Sequence, residues 1–238
     1  ISGMADYRMY AGKPVVIKPK STNFGLGITI LKHNYDETDF KGALQIAFEH
    51  DNTLLIEKFI PGREFRIFII NDEVVGILHR VPANVTGDGV LNIGQLIDRK
   101  NEDPLRGKGY RTPLEKIRKG REEEMFLKQQ GMDFNTVPKE GEVVYLRENS
   151  NISTGGDSID FTDDIDDSYK AIAVEAAKAL NVKITGLDMM IQDIHAPATP
   201  DNYAIIEMNF NPAIHIHCYP FKGKNRHLNH KMIRALGF

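Results

Sequence analysis

The segment that most constrains the fold is EFRIFIINDEVVGILHRV, which begins at Glu64. Its two apolar, β-branched stretches are separated by Asn71 and Asp72, a pair typical of tight hairpin turns. We therefore expect two antiparallel strands. Shorter strand patterns near residues 15–18, 28–31 and 54–57, and a helix capped by Asp36, precede the hairpin. Together these elements predict an α+β subdomain over residues 1–83.

A second α+β subdomain is expected over residues 84–238. Its pattern is clearest after residue 167, where an amphipathic helix with Ile172, Ala176 and Leu180 facing inward precedes strands near residues 184–194 and 203–210. Residues 84–141 contain many turn signals, with helical patterns near residues 93–99 and 121–130. We interpret them as an irregular insertion.

Composition and charge exclude several functional classes. The net charge is −3 over 238 residues, so no general attraction for nucleic acid or acidic membranes is expected. Cys218 is the only cysteine, which rules out an intrachain disulfide and the usual zinc sites. No apolar run approaches the roughly 20 residues that span a bilayer, and the first residues lack a signal-peptide pattern. We expect a soluble, cytoplasmic protein.

Oxygen-bearing side chains on the last two predicted strands form a candidate metal site. Asp188 lies on the first strand, and Glu207 and Asn209 lie two positions apart on the second, where they share a face. All three offer the hard oxygen ligands that magnesium prefers, together with water and nucleotide phosphates. The alternative is that they are polar residues near strand ends that face solvent.

A lysine and a glycine loop form a candidate phosphate clamp. Lys18 closes the first strand and is followed by STNFGLG, which contains Ser21, Asn23, Gly25 and Gly27. Glycine tolerates the tight backbone angles that bring N–H groups close to phosphate oxygens. The loop matches neither common phosphate-binding pattern, so a plain hairpin turn remains an alternative.

The segment EKFIPGREFR could bind a nucleoside. Extended backbone at Glu57, Lys58, Phe59 and Ile60 can form hydrogen bonds with an adenine edge, and the carboxylate of Glu64 can accept from ribose hydroxyls. This places a candidate adenine hinge directly before the hairpin.

The four motifs VIKPKSTNFGLGI, IEKFIPGREFR, LDMMI and IIEMNFNP resemble, in order and approximate spacing, those of the ATP-grasp ligases. HRVPANVTGDG and LRENSNISTGGDSID narrow the resemblance to the branch of cyanophycin synthetase and of the bifunctional glutamate–cysteine ligase/glutathione synthetases. The sequence is most similar to the C-terminal glutathione synthetase module of the latter. Four ordered motifs are more specific than any one alone.

The resemblance implies two α+β subdomains that clasp ATP between antiparallel sheets, with Mg²⁺ or Mn²⁺ held by Asp188, Glu207 and Asn209. It implies that Lys18 and Lys58 contact ATP, and that Arg80 and Arg147 lie near the reacting phosphate. Ordinary ion pairs are the alternative for both arginines.

The resemblance also implies an acceptor-substrate site, formed by Asn151, Ser153, Thr154, Gly155, Gly156 and His217. A plain omega loop and surface histidines are the alternatives there.

The implied reaction joins γ-glutamylcysteine to glycine through an acyl phosphate. The alternatives are a ligase for another amino acid or peptide, of the cyanophycin or D-alanyl-D-alanine type, and a non-catalytic nucleotide-binding module. The chain begins about a dozen residues before its first strand, so we expect a fragment or a short form. Fusion or association with a glutamate–cysteine ligase domain, and a homodimer, are the expected partnerships.

Overall fold

The computed structural model describes residues 6–22, 26–32, 34–147 and 150–237. The chain divides after Pro61 into two compact units, which we call the N-terminal unit and the C-terminal unit. Within the described part of the chain, no helix has the length and apolar character needed to cross a membrane.

The N-terminal unit is a small antiparallel sheet covered by one helix. Its elements are β1 (Val15–Pro19), β2 (Thr29–Leu31), α1 (Glu37–Phe48) and β3 (Leu54–Lys58), with strand order β2-β1-β3. Asp36 caps α1 through a reciprocal pair of hydrogen bonds with Asp39. The helix buries Phe40 and Leu44 against Val15 and Ile17 of β1. This packing fixes the strand that ends near Lys18.

The C-terminal unit contains the remaining elements. In chain order these are β4 (Arg63–Ile70), β5 (Glu73–Val81), β6 (Asn84–Thr86), α2 (Ile93–Lys100), β7 (Arg106–Gly107), β8 (Leu114–Glu115), α3 (Arg121–Gln129), β9 (Val143–Tyr145), β10 (Asp157–Asp160), α4 (Asp167–Ala179), β11 (Ile184–Ile191), β12 (Tyr203–Asn209), α5 (His215–Cys218) and α6 (Leu228–Ala235). The α+β class with antiparallel main sheets, predicted from the sequence, is confirmed.

A five-stranded antiparallel sheet, in the order β10-β5-β4-β11-β12, is the framework of this unit. Because side chains alternate along a strand, Phe65, Ile67 and Ile69 of β4 face one side. They pack there with Leu187 and Met189 of β11, and helix α4 covers this apolar face. The opposite face carries Arg66, Asp188 and their polar neighbours, and we call it the site face.

Helix α4 contacts the sheet through Tyr169, Ala173 and Ala177, with Ile172 and Ala176 partly buried beside them. The inward position expected for Leu180 is wrong, because its side chain is 61% exposed. Leu180 follows the last helical turn, and the chain turns away at Asn181, whose φ is 53°.

The hairpin of β4 and β5 belongs to the C-terminal unit, because β4 pairs with β11 along its whole length, from Arg63 opposite Ile191 to Ile70 opposite Ile184. The expected boundary at residue 83 therefore differs from the division observed after Pro61. Strand pairing across more than a hundred residues of sequence decides this assignment, and local patterns carry no information about it.

Residues 84–146 are more regular than the sequence pattern indicates. Strands β6 and β9 pair, and helices α2 and α3 pack on them around a small core that includes Val85, Ile97, Leu127 and Val144. The strands are only two or three residues long and lie far apart in sequence, so they leave no readable alternation.

His217 on α5 is fully buried, at 0% exposure, against strands β4 and β5. Its ring meets Phe68 edge to face at 5.4 Å, and a Cβ on Gly76 would lie 2.8 Å from its Nδ1. Among the described residues, neither ring nitrogen has a hydrogen-bond partner. The surface position considered from the sequence is therefore wrong. Burial, with a smaller effect of Arg66, lowers the pKa of His217 to about 3.

We expect this buried imidazole to make stability depend on pH. The unfolded chain binds a proton at His217 below pH 6.5 and the folded chain does not, so the free energy of unfolding should fall as the pH drops from 6.5 toward 3. The contribution has a slope of up to about 1.4 kcal/mol per pH unit.

Urea unfolding of wild type and His217→Leu at several pH values measures this slope. The variant should show a shallower dependence, and some dependence should remain because burial also lowers the pKa of His79 to about 4. The control His230→Leu, at an exposed position, should retain the wild-type slope. Parallel wild-type and His217→Leu curves would contradict the prediction.

Candidate functional site

The N-terminal unit brings Lys18 and Glu57 together. The Nζ of Lys18 lies 2.7 Å from a carboxylate oxygen of Glu57, on adjacent strands β1 and β3. The Lys18 side chain is 18% exposed, whereas Lys58 is exposed. An ammonium group has three donors, so the ion pair leaves Lys18 able to bind a further anion.

The hinge and the glycine loop are constrained by the N-terminal unit itself. The backbone N–H of Phe59 donates to Pro14 at 3.0 Å, and the Lys32 ammonium lies 5.5 Å from the centroid of the Phe59 ring. Ile60 is half-buried.

In the loop, the N–H of Ser21 donates to Asp51 at 2.8 Å. Gly27 has φ 76°, and a Cβ there would lie 2.8 Å from the ring of Pro19, so glycine is required. Asn23 and Gly25 lie outside the described residues.

The C-terminal unit brings the three candidate metal ligands together on the site face. Asp188 of β11 lies directly opposite Glu207 of β12, and Asn209 lies opposite Gly186 in the same register. Directly opposed residues have Cβ atoms about 5 Å apart. The Nδ2 of Asn209 donates to Glu207 at 3.1 Å. Asp188 is 2% exposed, and Glu207 is exposed.

This donor set fits a divalent cation that prefers oxygen. Two carboxylates and an amide supply hard ligands from one side and leave the other positions to water and phosphate oxygens. Within the described ranges, no group of three or more His, Cys, Asp or Glu side chains is placed to hold a metal ion. The nearly complete burial of Asp188 also requires positive charge beside it.

Arginine residues supply that positive charge. Arg80 donates to Asp188 at 3.0 Å and forms an ion pair with Glu64, and Arg66 binds both carboxylate oxygens of Asp188. Glu64 also accepts from the Ser150 hydroxyl at 2.9 Å. The carboxylate expected at a ribose is therefore held by Arg80 and Ser150 in this structure.

Arg66 and Ser150 lie inside the motifs IEKFIPGREFR and LRENSNISTGGDSID, but neither was assigned a role from the sequence. For Arg66 a signal exists, because it is the only charged residue in the otherwise apolar run from Phe65 to Ile70. A charge in such a run needs a buried partner. Ser150 carries no comparable local signal.

Arg147 forms an ion pair, the alternative that the sequence analysis gave for this residue. Its Nε donates to Glu123 of α3 at 2.6 Å, and its guanidinium also pairs with Glu122. Glu123 is nearly fully buried in this contact. The structure thus places Arg80 with the candidate metal ligands and Arg147 with α3.

The predicted substrate loop is a tight turn. Residues 152–154 form a 3₁₀ turn in which the Thr154 hydroxyl donates to Asn151 at 2.9 Å, and Ser153 is half-buried. Gly155 has φ 94°. A Cβ on Gly156 would lie 2.8 Å from the carbonyl oxygens of Asn151 and Val81. Both glycines are therefore required by the backbone.

Arg106 supports this turn from the protein interior. Its fully buried guanidinium donates to the Gly155 carbonyl at 3.0 Å and pairs with Asp157, which Lys100 also binds at 2.7 Å. Burial lowers the pKa of Lys100 and Arg106, and Asp157 opposes the shift in both. Sequence reasoning missed all three residues, because their contacts join positions about fifty apart.

Comparison with curated proteins gives close matches over nearly the whole chain. It is 63% identical over 235 residues to the glutathione biosynthesis bifunctional protein GshAB of Desulfotalea psychrophila, covering 99% of the chain and 30% of that protein. It is 57% identical to the protein of the same name from Clostridium perfringens, covering 97% of the chain and 30% of the relative. The chain thus spans about a third of the length of these relatives.

Two further comparisons agree with this relationship. The bifunctional glutathione synthetase of Pasteurella multocida has a crystal structure that matches with a TM-score of 0.74 and 47% identity, covering 94% of this chain and 31% of that one. The family model described as the D-ala D-ala ligase C-terminus matches residues 4–92. The resemblance predicted from the motifs is confirmed, and the chain belongs to the ATP-grasp ligase family.

Proposed function

We propose that this chain catalyses the ATP-dependent ligation of γ-glutamylcysteine with glycine, which yields glutathione. The observation that carries the proposal is the candidate metal set of Asp188, Glu207 and Asn209 beside two arginines, in a chain 63% identical to a glutathione biosynthesis protein. The whole relatives are named bifunctional, which supports a second activity, glutamate–cysteine ligation, elsewhere in the same protein.

The proposed reaction has two steps. A carboxylate oxygen of γ-glutamylcysteine attacks the γ-phosphorus of ATP, the bond to ADP breaks, and an acyl phosphate forms. The glycine amine then attacks the acyl carbon, phosphate leaves with the C–O bonding electrons, and the nitrogen loses a proton to give the amide. Negative charge spreads over the phosphoryl oxygens in the first step, so cations must surround them.

Residues of both units have roles in this scheme. Lys18 supplies an ammonium group for ATP phosphates, and Lys58, Phe59 and Ile60 take part in adenine binding. In the C-terminal unit, Asp188, Glu207 and Asn209 would hold Mg²⁺, or Mn²⁺ in its place. A bound divalent cation would neutralise phosphate charge and orient the nucleotide. Arg80 would contact the transferred phosphate.

The turn of residues 151–156 would line the acceptor side of the site. Its glycines, with Arg106 supporting them from the protein interior, would fix the backbone that positions the substrate carboxylate. Water would otherwise hydrolyse the acyl phosphate, so the site must exclude it. A cytoplasmic location and a homodimer remain part of the proposal.

The proposal predicts strict dependence on both substrates. With ATP and Mg²⁺, protein that carries this chain should release phosphate only when γ-glutamylcysteine and glycine are both present, in a one-to-one ratio with the amide product. A coupled phosphate assay together with mass detection of the tripeptide measures this ratio. Turnover with D-alanine or arginine in place of glycine would instead indicate another amino-acid ligase, and no phosphate release with any amine would favour a non-catalytic nucleotide-binding module.

A second prediction concerns the candidate metal set. Glu207→Gln should lower kcat by about 10²–10³-fold, because it removes a charged ligand where negative charge develops. Glu207 is exposed, so the free energy of unfolding should change by less than about 0.5 kcal/mol.

The matched control is Glu175→Gln, on the exposed side of α4, which covers the opposite face of the sheet. It should leave turnover unchanged. Near-normal turnover of Glu207→Gln at saturating Mg²⁺ would remove the metal assignment.

A further inference from the structure

Arg66 occupies a position at the centre of the site face. It is the last residue of the motif IEKFIPGREFR, but no role was assigned to it from the sequence. It lies on β4 directly opposite Asp188 of β11, and its side chain is 10% exposed. Its Nη2 lies 2.7 Å from one carboxylate oxygen of Asp188, and its Nε binds the other. This two-point contact uses the planar fork of the guanidinium, which a lysine cannot reproduce.

Gly186 provides space for the Arg66 side chain. It precedes Asp188 by two residues on β11 and therefore faces the same side of the sheet. A Cβ at this position would lie 3.0 Å from Cδ of Arg66 and 2.7 Å from Cβ of Pro212. Because φ of Gly186 is not positive, the backbone does not require glycine there. The requirement comes from Pro212, which lies closest, and from the arginine that passes over it.

Asp188 contacts two positively charged guanidinium groups but has only one negative charge. It accepts from Arg66 and Arg80, and Arg80 is shared with Glu64. Arg66 has no second carboxylate partner among the described residues. If Asp188 binds another cation, the Arg66 guanidinium loses the one carboxylate partner that it has among the described residues. It would then need another anion in a nearly buried position.

We propose that Arg66 is a catalytic residue that caps Asp188 before the nucleotide binds and contacts the transferred phosphate once Asp188 binds the divalent cation. This rests on the proposed function, since the γ-phosphate is the anion that the reaction brings to this face. Coordination of the cation by Asp188 would release Arg66, and the bound nucleotide would supply the γ-phosphate as its new partner. If the ion pair were purely structural, it would contribute to folding, and its loss would not affect the binding of one nucleotide more than another.

The test compares two nucleotides that differ at the transferred phosphate. Binding of AMP-PNP and of ADP, each with saturating Mn²⁺, is measured by calorimetry for wild type, Arg66→Met and Arg66→Lys. Both variants should bind AMP-PNP at least 10-fold more weakly and ADP within about 2-fold of wild type. Equal losses for both nucleotides, or no loss for AMP-PNP, would overturn the proposal.

Binding of Mn²⁺ without nucleotide gives an independent readout. Arg66 competes with the cation for Asp188, so Arg66→Met should bind free Mn²⁺ more tightly than wild type, by at least about 3-fold, while its turnover falls by at least 10-fold. Loss of a purely structural ion pair would also release Asp188, so the proposal is carried by tighter Mn²⁺ binding together with lower turnover. Unchanged or weaker Mn²⁺ binding in a folded Arg66→Met would therefore also count against the proposal.

Two further variants make the result independent of folding defects. Gly186→Ala keeps the guanidinium but crowds Cδ of Arg66, and also Pro212, so AMP-PNP affinity should fall more than ADP affinity even if Arg66→Met does not fold. Arg99→Met, which removes an exposed arginine paired with Asp88 at 2.8 Å, should match wild type in every measurement. Normal AMP-PNP binding by folded Gly186→Ala would overturn the proposal.

The binding measurements need neither amine nor peptide, so they separate this inference from the substrate assignment. If wild type binds AMP-PNP with the predicted Arg66 dependence but makes no glutathione, the proposed substrates are wrong and the role of Arg66 stands. If wild type binds neither nucleotide, both proposals fail.

Discussion

The burial of Asp188 is the constraint on which the site face depends. A carboxylate with 2% exposure is costly unless cations and hydrogen bonds surround it, and here two guanidinium groups meet that need. The pairing of β4 with β11 places Arg66 opposite Asp188. The next strand, β5, brings Arg80 within 3.0 Å of the same carboxylate. Strand register therefore determines the charge arrangement.

The two faces of the same sheet differ in role: one is the apolar core, and the other carries the candidate site. Its apolar face is covered by α4, where Phe65, Ile67 and Leu187 are fully buried. Burial of such side chains contributes roughly 1.5–3 kcal/mol each, which can offset the cost of charged groups on the opposite face. Because alternate residues of one strand serve the two faces, Arg66 is held by the burial of its neighbours. Rigid strands position such groups more accurately than loops do.

Sequence patterns predicted the local elements well, and they placed the three candidate oxygen ligands on one face of two successive strands, because periodicity and strand position are local properties. They failed for Arg66, Arg106 and Ser150, whose partners lie between about fifty and more than a hundred positions away. They also placed Leu180 inward, since a helical pattern does not show where the last turn ends. The burial of His217 depends on α5 packing over Gly76, which no spacing reveals.

A chain of contacts joins the candidate metal ligands to the turn of residues 151–156. Asp188 accepts from Arg80, Arg80 pairs with Glu64, and Glu64 accepts from Ser150, which directly precedes the turn at Asn151. A change of partner at Asp188 alters the charge that Arg80 shares with Glu64, and hence the strength of the hydrogen bond to Ser150. The candidate metal ligands and the turn of residues 151–156 are thus linked through side chains within one unit.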